Sequence, residues 1–289
     1  MTSIEWTASD DGTEEGATWN PTTGCDRTSP GCDHCYALTM AKRLKGMGQA
    51  KYQNDGDPRT SGPGFGLTIH EDVLTVPLKW RKPRRVFVNS MSDLGHARVP
   101  PEFLAKVWAV MAVTPQHTYQ ILSKRPHRLS NLLLGSRIND FQFDMLGHAM
   151  RDYGLRGGVE WPLPNVWIGT SIELDRYHPR ADSIRETPAA VRFLSLEPLL
   201  GPLPSLDLSG IDWMILGGES GGGARRMDLG WVRDLIAQGR EAGAAIFVKQ
   251  LGSVLGRELG AGSKGGDWDA WPGDLRIREF PRAIEAVPV

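Results

Sequence analysis

Short apolar runs alternate with helix-patterned stretches along most of the chain. The runs are Val86-Phe87-Val88, Thr118-Tyr119-Gln120-Ile121-Leu122, Val166-Trp167-Ile168-Gly169, Val191-Arg192-Phe193-Leu194, Trp213-Met214-Ile215-Leu216 and Ala245-Ile246-Phe247-Val248. Each is brief and rich in β-branched and aromatic residues, the pattern of strands buried on both faces of a parallel sheet. A strand before Cys25, from about Thr18 to Asn20, makes the first of about seven. Helical periods lie between the runs. Ala37, Met40, Ala41, Leu44 and Met47 follow i, i+3, i+4, i+7 spacing, with Lys42, Arg43 and Lys45 on the other side and Gly46 and Gly48 ending the run. Pro100-Pro101 opens a second helix with Leu104, Val107, Trp108 and Met111 in one stripe. Another runs from about Leu229 to Ala242, burying Val232, Leu235 and Ile236, and Gly243 is placed to stop it. Fainter helical patterns cover 126–135, 140–153 and 174–186.

Alternating β and α units imply a parallel sheet with right-handed crossovers. The expected fold is α/β: one domain over 1–289, a single full or partial (β/α) barrel of parallel strands. Two stretches break the repeat. Residues 46–78, rich in Gly, Pro and polar groups, read as an insertion or excursion. Residues 252–289, with Gly260 to Gly266 and then Trp268 and Trp271, read as a C-terminal appendage.

A chain of 289 residues suits such a barrel. The net charge of −1 gives no support for a generally basic nucleic-acid binder. The run Lys79-Trp80-Arg81-Lys82-Pro83-Arg84-Arg85 reads as a solvated connection ahead of a strand, in preference to a phosphate site. No stretch approaches the ~18 apolar residues of a membrane span, so no membrane partner is expected. The N-terminus shows no secretory pattern. With free thiols, that points to the cytoplasm.

In a parallel α/β protein, ligands bind at the carboxyl ends of the strands. Here those ends carry Asn89-Ser90-Met91-Ser92-Asp93, Ser123-Lys124-Arg125-Pro126, Thr170-Ser171-Ile172-Glu173, Ser195-Leu196-Glu197-Pro198, Gly217-Gly218-Glu219-Ser220-Gly221 and Lys249-Gln250. Any one Glu after a strand is ordinarily a helix-cap partner or solvated, and Lys249 could simply snorkel. Together, Glu173, Glu197, Glu219, Lys124 and Lys249 suggest a pocket for a polar, charged small molecule. Lys249, Glu197 and Lys124 are the catalytic candidates. Gly217 and Gly218 suit a tight turn that lets a ligand meet main-chain N–H groups, or a plain flexible loop.

The chain has three cysteines, Cys25, Cys32 and Cys35, spaced C-x6-C-x2-C. Disulfide bonding would leave one thiol over. A closed structural zinc site would need a fourth ligand, with His34 or another His the candidates. A 4Fe–4S cluster would be held at three irons and left open at the fourth. A metal-free nucleic-acid or protein-binding module is the remaining alternative.

The segments Asn20-Pro21-Thr22-Thr23-Gly24-Cys25, Gly31-Cys32-Asp33-His34-Cys35-Tyr36-Ala37, Asn89 to Asp93, Ser123 to Pro126, Leu196-Glu197-Pro198-Leu199, Gly217 to Gly221 and Val248-Lys249-Gln250 together resemble the phage Gp37/Gp68-like family. That family has unknown function and is itself similar to radical S-adenosylmethionine (SAM) enzymes through its three-cysteine motif. Such enzymes usually carry C-x3-C-x-aromatic-C; here the first spacing is six, and His34 stands in the aromatic place. The resemblance implies a radical SAM-like barrel whose Cys25, Cys32 and Cys35 hold the cluster. It implies SAM as cofactor, an electron donor, a protein partner as one option, and an unknown substrate for which nucleic acid or a nucleotide is one class. Asn89, Ser90 and Asp93 then stand where such enzymes carry Gly-Gly-Glu. Thr170, Ser171 and Glu173 would meet the SAM ribose, the alternative being that Ser171 caps the following helix with Glu173 in its first turn, and His34 would pack near the adenine or the cluster edge. The Gly-Gly-Glu of this chain, Gly217, Gly218 and Glu219, follows the sixth strand, so the role of that motif is not carried over; with Glu197 these residues would line the rest of the cofactor site.

Overall fold

The apolar runs become strands in the computed structural model, which describes residues 4–7, 15–134 and 138–281. β1 (Glu15–Trp19) starts three residues before the expected Thr18 to Asn20 strand. β2 (Thr22–Thr23) and β3 (Thr68–Ile69) form a small antiparallel pair of their own. β4 (Arg84–Val88), β5 (Thr118–Ser123), β6 (Val166–Ser171), β7 (Val191–Leu196), β8 (Trp213–Gly217) and β9 (Ala245–Gln250) complete the set. The large sheet has seven strands in the order β1-β4-β5-β6-β7-β8-β9, each beside its neighbour in the chain once the small pair is set aside. The pairs β1–β4, β4–β5, β7–β8 and β8–β9 are parallel. Sequential parallel order is the topology of a partial (β/α) barrel. Every residue of β6 and of β8 is buried, which is why these strands read as continuous apolar runs and not as alternating ones.

The helices are α1 (Tyr36–Gly46), α2 (Pro101–Ala112), α3 (Pro126–Leu134), α4 (Ile138–Tyr153), α5 (Pro179–Glu186), α6 (Leu229–Ala242) and α7 (Gly252–Leu259). α6 has the expected limits. The Asp228 carboxylate caps it by accepting from Gly230 N–H at 2.6 Å, Val232, Leu235 and Ile236 are buried, and Gly243 ends it at φ 76°. α5 is shorter than the 174–186 pattern. A 3₁₀ turn (Asp175–Tyr177) comes first, and the helix begins at Pro179, which has no N–H to continue a preceding ladder. α2 is buried almost all round, beyond its expected stripe, and its Trp108 meets Phe141 of α4 edge-on at 5.6 Å. In α1 the buried residues are Ala37 and Ala41, while Met40 and Met47 of the expected apolar stripe stand exposed.

Two compact units divide the chain. The first is Met1–Thr28, Cys35–Ile168 and Glu186–Ala190; the second is Ser29–His34, Gly169–Arg185 and Val191–Val289. The core of the first contains Val86, Val88, Leu104, Trp108, Tyr119 and Ile121, all fully or almost fully buried. The second centres on rings of Phe193, Trp213, Phe247 and Phe280, with neighbouring centroids 5.3 to 6.1 Å apart. Residues 46–78 contain β3, the 3₁₀ turns Ala50–Tyr52 and Glu71–Val73 and the start of Pro77–Lys79, and no α-helix beyond the end of α1 at Gly46. Past α7, Ile277 accepts from Val248 N–H and Glu279 donates to Ile246, so this segment closes the outer edge of β9 against further strand pairing. The last part of the expected appendage, residues 282–289, lies outside the described residues. Among the described residues no helix is long and apolar enough to cross a membrane.

Candidate functional site

In the first unit, the chain leading to Cys25 is stitched to the segment that follows β4. Gly24 donates its N–H to Met91 O at 2.9 Å, and Ser92 Oγ donates to Gly24 O at 2.6 Å. Asn20 Oδ1 accepts from Met91 N–H at 3.0 Å and from Ser90 Oγ at 3.2 Å. Asn89 sits at φ 63°, a conformation that asparagine tolerates better than most residues. Its Nδ2 donates to Thr22 Oγ1 at 2.8 Å, and its Oδ1 accepts from Thr22 N–H. Gly24 has φ 85°, and a Cβ there would lie 2.3 Å from Gly66 O, so no other residue fits. The side chains of Asn89 and Ser90, expected at a cofactor, are engaged in holding the segment that carries Cys25.

Arg125 reaches the sulfur itself. Its Nη1 lies 3.3 Å from Cys25 Sγ and 2.9 Å from Asp93 Oδ2, and its Nη2 donates to Asp26 O at 2.9 Å. Asp93 is buried and fully engaged, accepting also from Ser123 Oγ, Gly95 N–H and Lys124 N–H. Burial works against the Arg125 charge, yet Asp93 and Cys25 hold its pKa above the ordinary arginine value. Asp26, next to Cys25, is a second hub. Its carboxylate accepts from Thr60 Oγ1 and Ser61 Oγ of the 46–78 stretch, from Arg98 and from His96. His96 Nδ1 accepts from Arg98 N–H at 3.2 Å, which places the ring proton on Nε2, the atom 2.9 Å from Asp26. Burial pushes Asp26 up, but the hydrogen bonds from His96, Thr60 and Ser61 outweigh it and hold the carboxyl below its usual range. Cys35 caps the N-terminus of α1. It packs, as Cys25 does, against Ala37, Ala41, Phe65 and Met91.

In the second unit, the loop that carries Cys32 is tied to strand ends in the same manner. Glu173, fully buried beyond β6, accepts from Gly31 N–H at 3.3 Å and pairs with Arg180 at 3.2 Å. Glu219, beyond β8, pairs with Arg225 and lies 3.1 Å from His34 Nδ1. Arg225 also donates to Pro30 O at 2.9 Å. Burial alone would raise Glu219; the Arg225 side chain and backbone, then His34, hold it down at about 2. Ser29 Oγ lies 3.9 Å from Cys32 Sγ. Lys249 and Glu197 form an ion pair at 2.8 Å between the ends of β9 and β7, and Gln250 adds a hydrogen bond to Glu197 at 3.0 Å. Gly218 is demanded by close packing, and Gly217 stands in a tight place. A Cβ on Gly217 would crowd the Glu197 carboxyl group, and one on Gly218 would lie 2.4 Å from Leu251 O. Gly218 N–H already donates to Gln250 O. Thr170 Oγ1 is buried and has no hydrogen-bond partner among the described residues.

Among the described residues none of the three cysteines is in a disulfide, and all three are half-buried. Among the described residues no three His, Cys, Asp or Glu side chains are grouped to hold one metal ion. A guanidinium beside Cys25 suits a thiolate that ligates metal, because a cationic donor stabilises the charged sulfur. Arg125, Asp26 and Arg225 were not singled out from sequence; the available signal was a charged residue at or beside a strand end or cysteine.

A family model described as "Protein of unknown function (DUF5131)" matches residues 1–273, so the chain belongs to that family. No curated protein matches the chain, and no solved structure does.

Proposed function

We propose that this member of the DUF5131 family is an iron–sulfur protein in which Cys25, Cys32 and Cys35 hold a 4Fe–4S cluster, and that it works as radical SAM enzymes do. The thiol set carries the reading. The only three cysteines of the chain fall between positions 25 and 35, none is in a disulfide among the described residues, and all are half-buried. Three thiolates leave one iron open to a small-molecule ligand. When bound there, SAM would supply a 5′-deoxyadenosyl radical by one-electron cleavage of its S–C5′ bond. The likeness to the phage Gp37/Gp68-like family points the same way.

The residues around the cysteines support the reading by what they fix. Asn89, Ser92 and Gly24 hold the Cys25 segment, and Glu173, Glu219 and Arg225 hold the Cys32 segment. Arg125 offers its charge to Cys25 Sγ. His34, turned to Glu219, serves as a neighbour of the site and not as a ligand. Thr170 Oγ1 is a buried hydroxyl with a free valence at a strand end, which suits a ribose hydroxyl. The Lys249–Glu197 pair, half-buried at two other strand ends, is assigned to substrate contact, where Lys249 can donate a proton and Glu197 accept one.

Anaerobic reconstitution tests the proposal. The protein should take up iron and labile sulfide in equal amounts, turn brown, and convert SAM to 5′-deoxyadenosine when reduced. Replacing Cys25, Cys32 or Cys35 by Ala should each abolish the visible spectrum. Stoichiometric zinc in the anaerobically prepared protein, with no iron, would overturn it.

A further inference from the structure

Helix α4 buries one face and leaves the other patterned. Phe141, Met145 and Ala149 are 3%, 1% and 0% exposed, and Phe141 meets Trp108 of α2. The opposite face carries two rows side by side. One row is apolar: Phe143, Leu146 and Met150, at i, i+3 and i+7. Phe143 is 76% exposed, and among the described residues no large apolar side chain is more so; Met150 is 51% exposed. The other row is charged: Asp144 and Arg151, two helical turns or about 10 Å apart along the axis. Gly147 stands between them and has no side chain, so Arg151 lies back across it, with Nη1 2.7 Å from where a Cβ would stand.

These two charges have no counterpart on the helix. His148 pairs with Asp152 at 2.8 Å. Asp140 lies in the first turn, where the helix dipole favours a carboxylate. Asp144 and Arg151 are both exposed and enter no ion pair among the described residues. A face of one sign would need a partner of the other sign. This face carries both signs, at opposite ends of an apolar row, and is therefore complementary to its own copy. A two-fold axis through the middle of the face, at Gly147, reverses the helix direction and keeps each row on its own side. Phe143 of one copy then faces Met150 of the other, and Asp144 of one faces Arg151 of the other. The symmetry makes each contact twice.

We propose that the outer face of α4 is the contact of an antiparallel, two-fold homodimer. Phe143 and Met150 supply side chains of the kind enriched at interfaces. The two reciprocal ion pairs fix direction and register. One helix pair is smaller than a standard stable interface, so the dimer forms at roughly 10–100 μM and dissociates below that. The inference goes beyond the iron–sulfur reading and does not depend on it, since no cysteine takes part.

The test is sedimentation equilibrium of the full-length chain, with a thiol reductant to exclude disulfide-linked pairs. Wild type should pass from monomer to dimer with rising concentration, and salt should weaken the association. Asp144→Arg sets like charges against each other at both ends of the contact, and so does Arg151→Asp; each should weaken association about tenfold or more. An equimolar mixture of these two variants should form a heterodimer of near wild-type affinity, because opposite charges meet again at both ends. The double variant, Asp144→Arg with Arg151→Asp, should recover the homodimer for the same reason. Phe143→Ser should leave only monomer. All three positions are exposed, so each variant should melt close to wild type; if one single charge variant does not fold, the other and Phe143→Ser carry the comparison. A wild type that stays monomeric up to roughly 500 μM overturns the proposal, whatever else α4 then binds. So does a dimer that persists in both single charge variants, because another surface then holds it. A mixture and a double variant that both stay monomeric overturn the antiparallel register.

Discussion

Arg125→Met should cost the metal-free protein about 3 kcal/mol. The substitution keeps the side-chain length and removes the guanidinium from three partners: Cys25 Sγ, Asp93 Oδ2 and Asp26 O. The largest loss is at Asp93, whose side chain is only 8% exposed. Breaking a buried ion pair from one side costs roughly 3–5 kcal/mol, because a charge is left without its partner. Asp93 keeps the donors of Ser123, Gly95 and Lys124, which places the cost at the low end. For a chain of this size that is a fall in Tm of roughly 5–10 °C. Urea titration of wild type, Arg125→Met, Asp93→Asn and the double variant measures both the total and the coupling. A coupling of about 1–3 kcal/mol is expected for residues in direct contact. Additive single effects, or a loss under about 0.5 kcal/mol for Arg125→Met, would refute the claim that this pair anchors Cys25.

Two further outcomes follow from the same segments. Gly24→Ala should lower yield and stability severely, by several kcal/mol, since the added Cβ would meet Gly66 O at 2.3 Å and the backbone sits at φ 85°; a variant that melts like wild type would remove the requirement. Glu219 should contribute to acid resistance. Its folded pKa, about 2, lies below the ordinary 4.5, so its stabilisation is complete above pH 4.5 and is lost as pH falls from there toward 2. With Arg225 a third exposed, the amount is about 1–2 kcal/mol after solvent screening, and Glu219→Gln should flatten the acid limb of a stability–pH curve. An unchanged slope between pH 5 and 2 would count against it.

The strands were legible because burial on both faces leaves little room for polar residues: β8 is apolar throughout, and β6 is so up to Thr170. α6 was legible because its cap, period and terminating glycine all agree. α1 misled for a physical reason. Ala37/Ala41 and Met40/Met47 both satisfy helical spacing, and sequence favours the larger residues as core. Close packing against Phe65, Met91 and the cysteines selected the alanines instead. The role of a polar residue at a strand end depends on its partner, and the partners are far away in the chain. Arg125 lies one hundred residues from Cys25. Glu173 lies 142 from Gly31. Neither distance can be closed without the strand order. Once it is closed, the pattern has a single physical meaning in each unit. The loop around the cysteines has little apolar surface of its own to fix it, so charged and amide groups at the strand ends fix it through directional hydrogen bonds. Carboxylates beyond β6 and β8 accept from the Cys32 segment or its partners, and an arginine beyond β5 reaches Cys25. In each unit, polar groups that the sequence placed at a ligand are engaged in holding a segment that carries a cysteine.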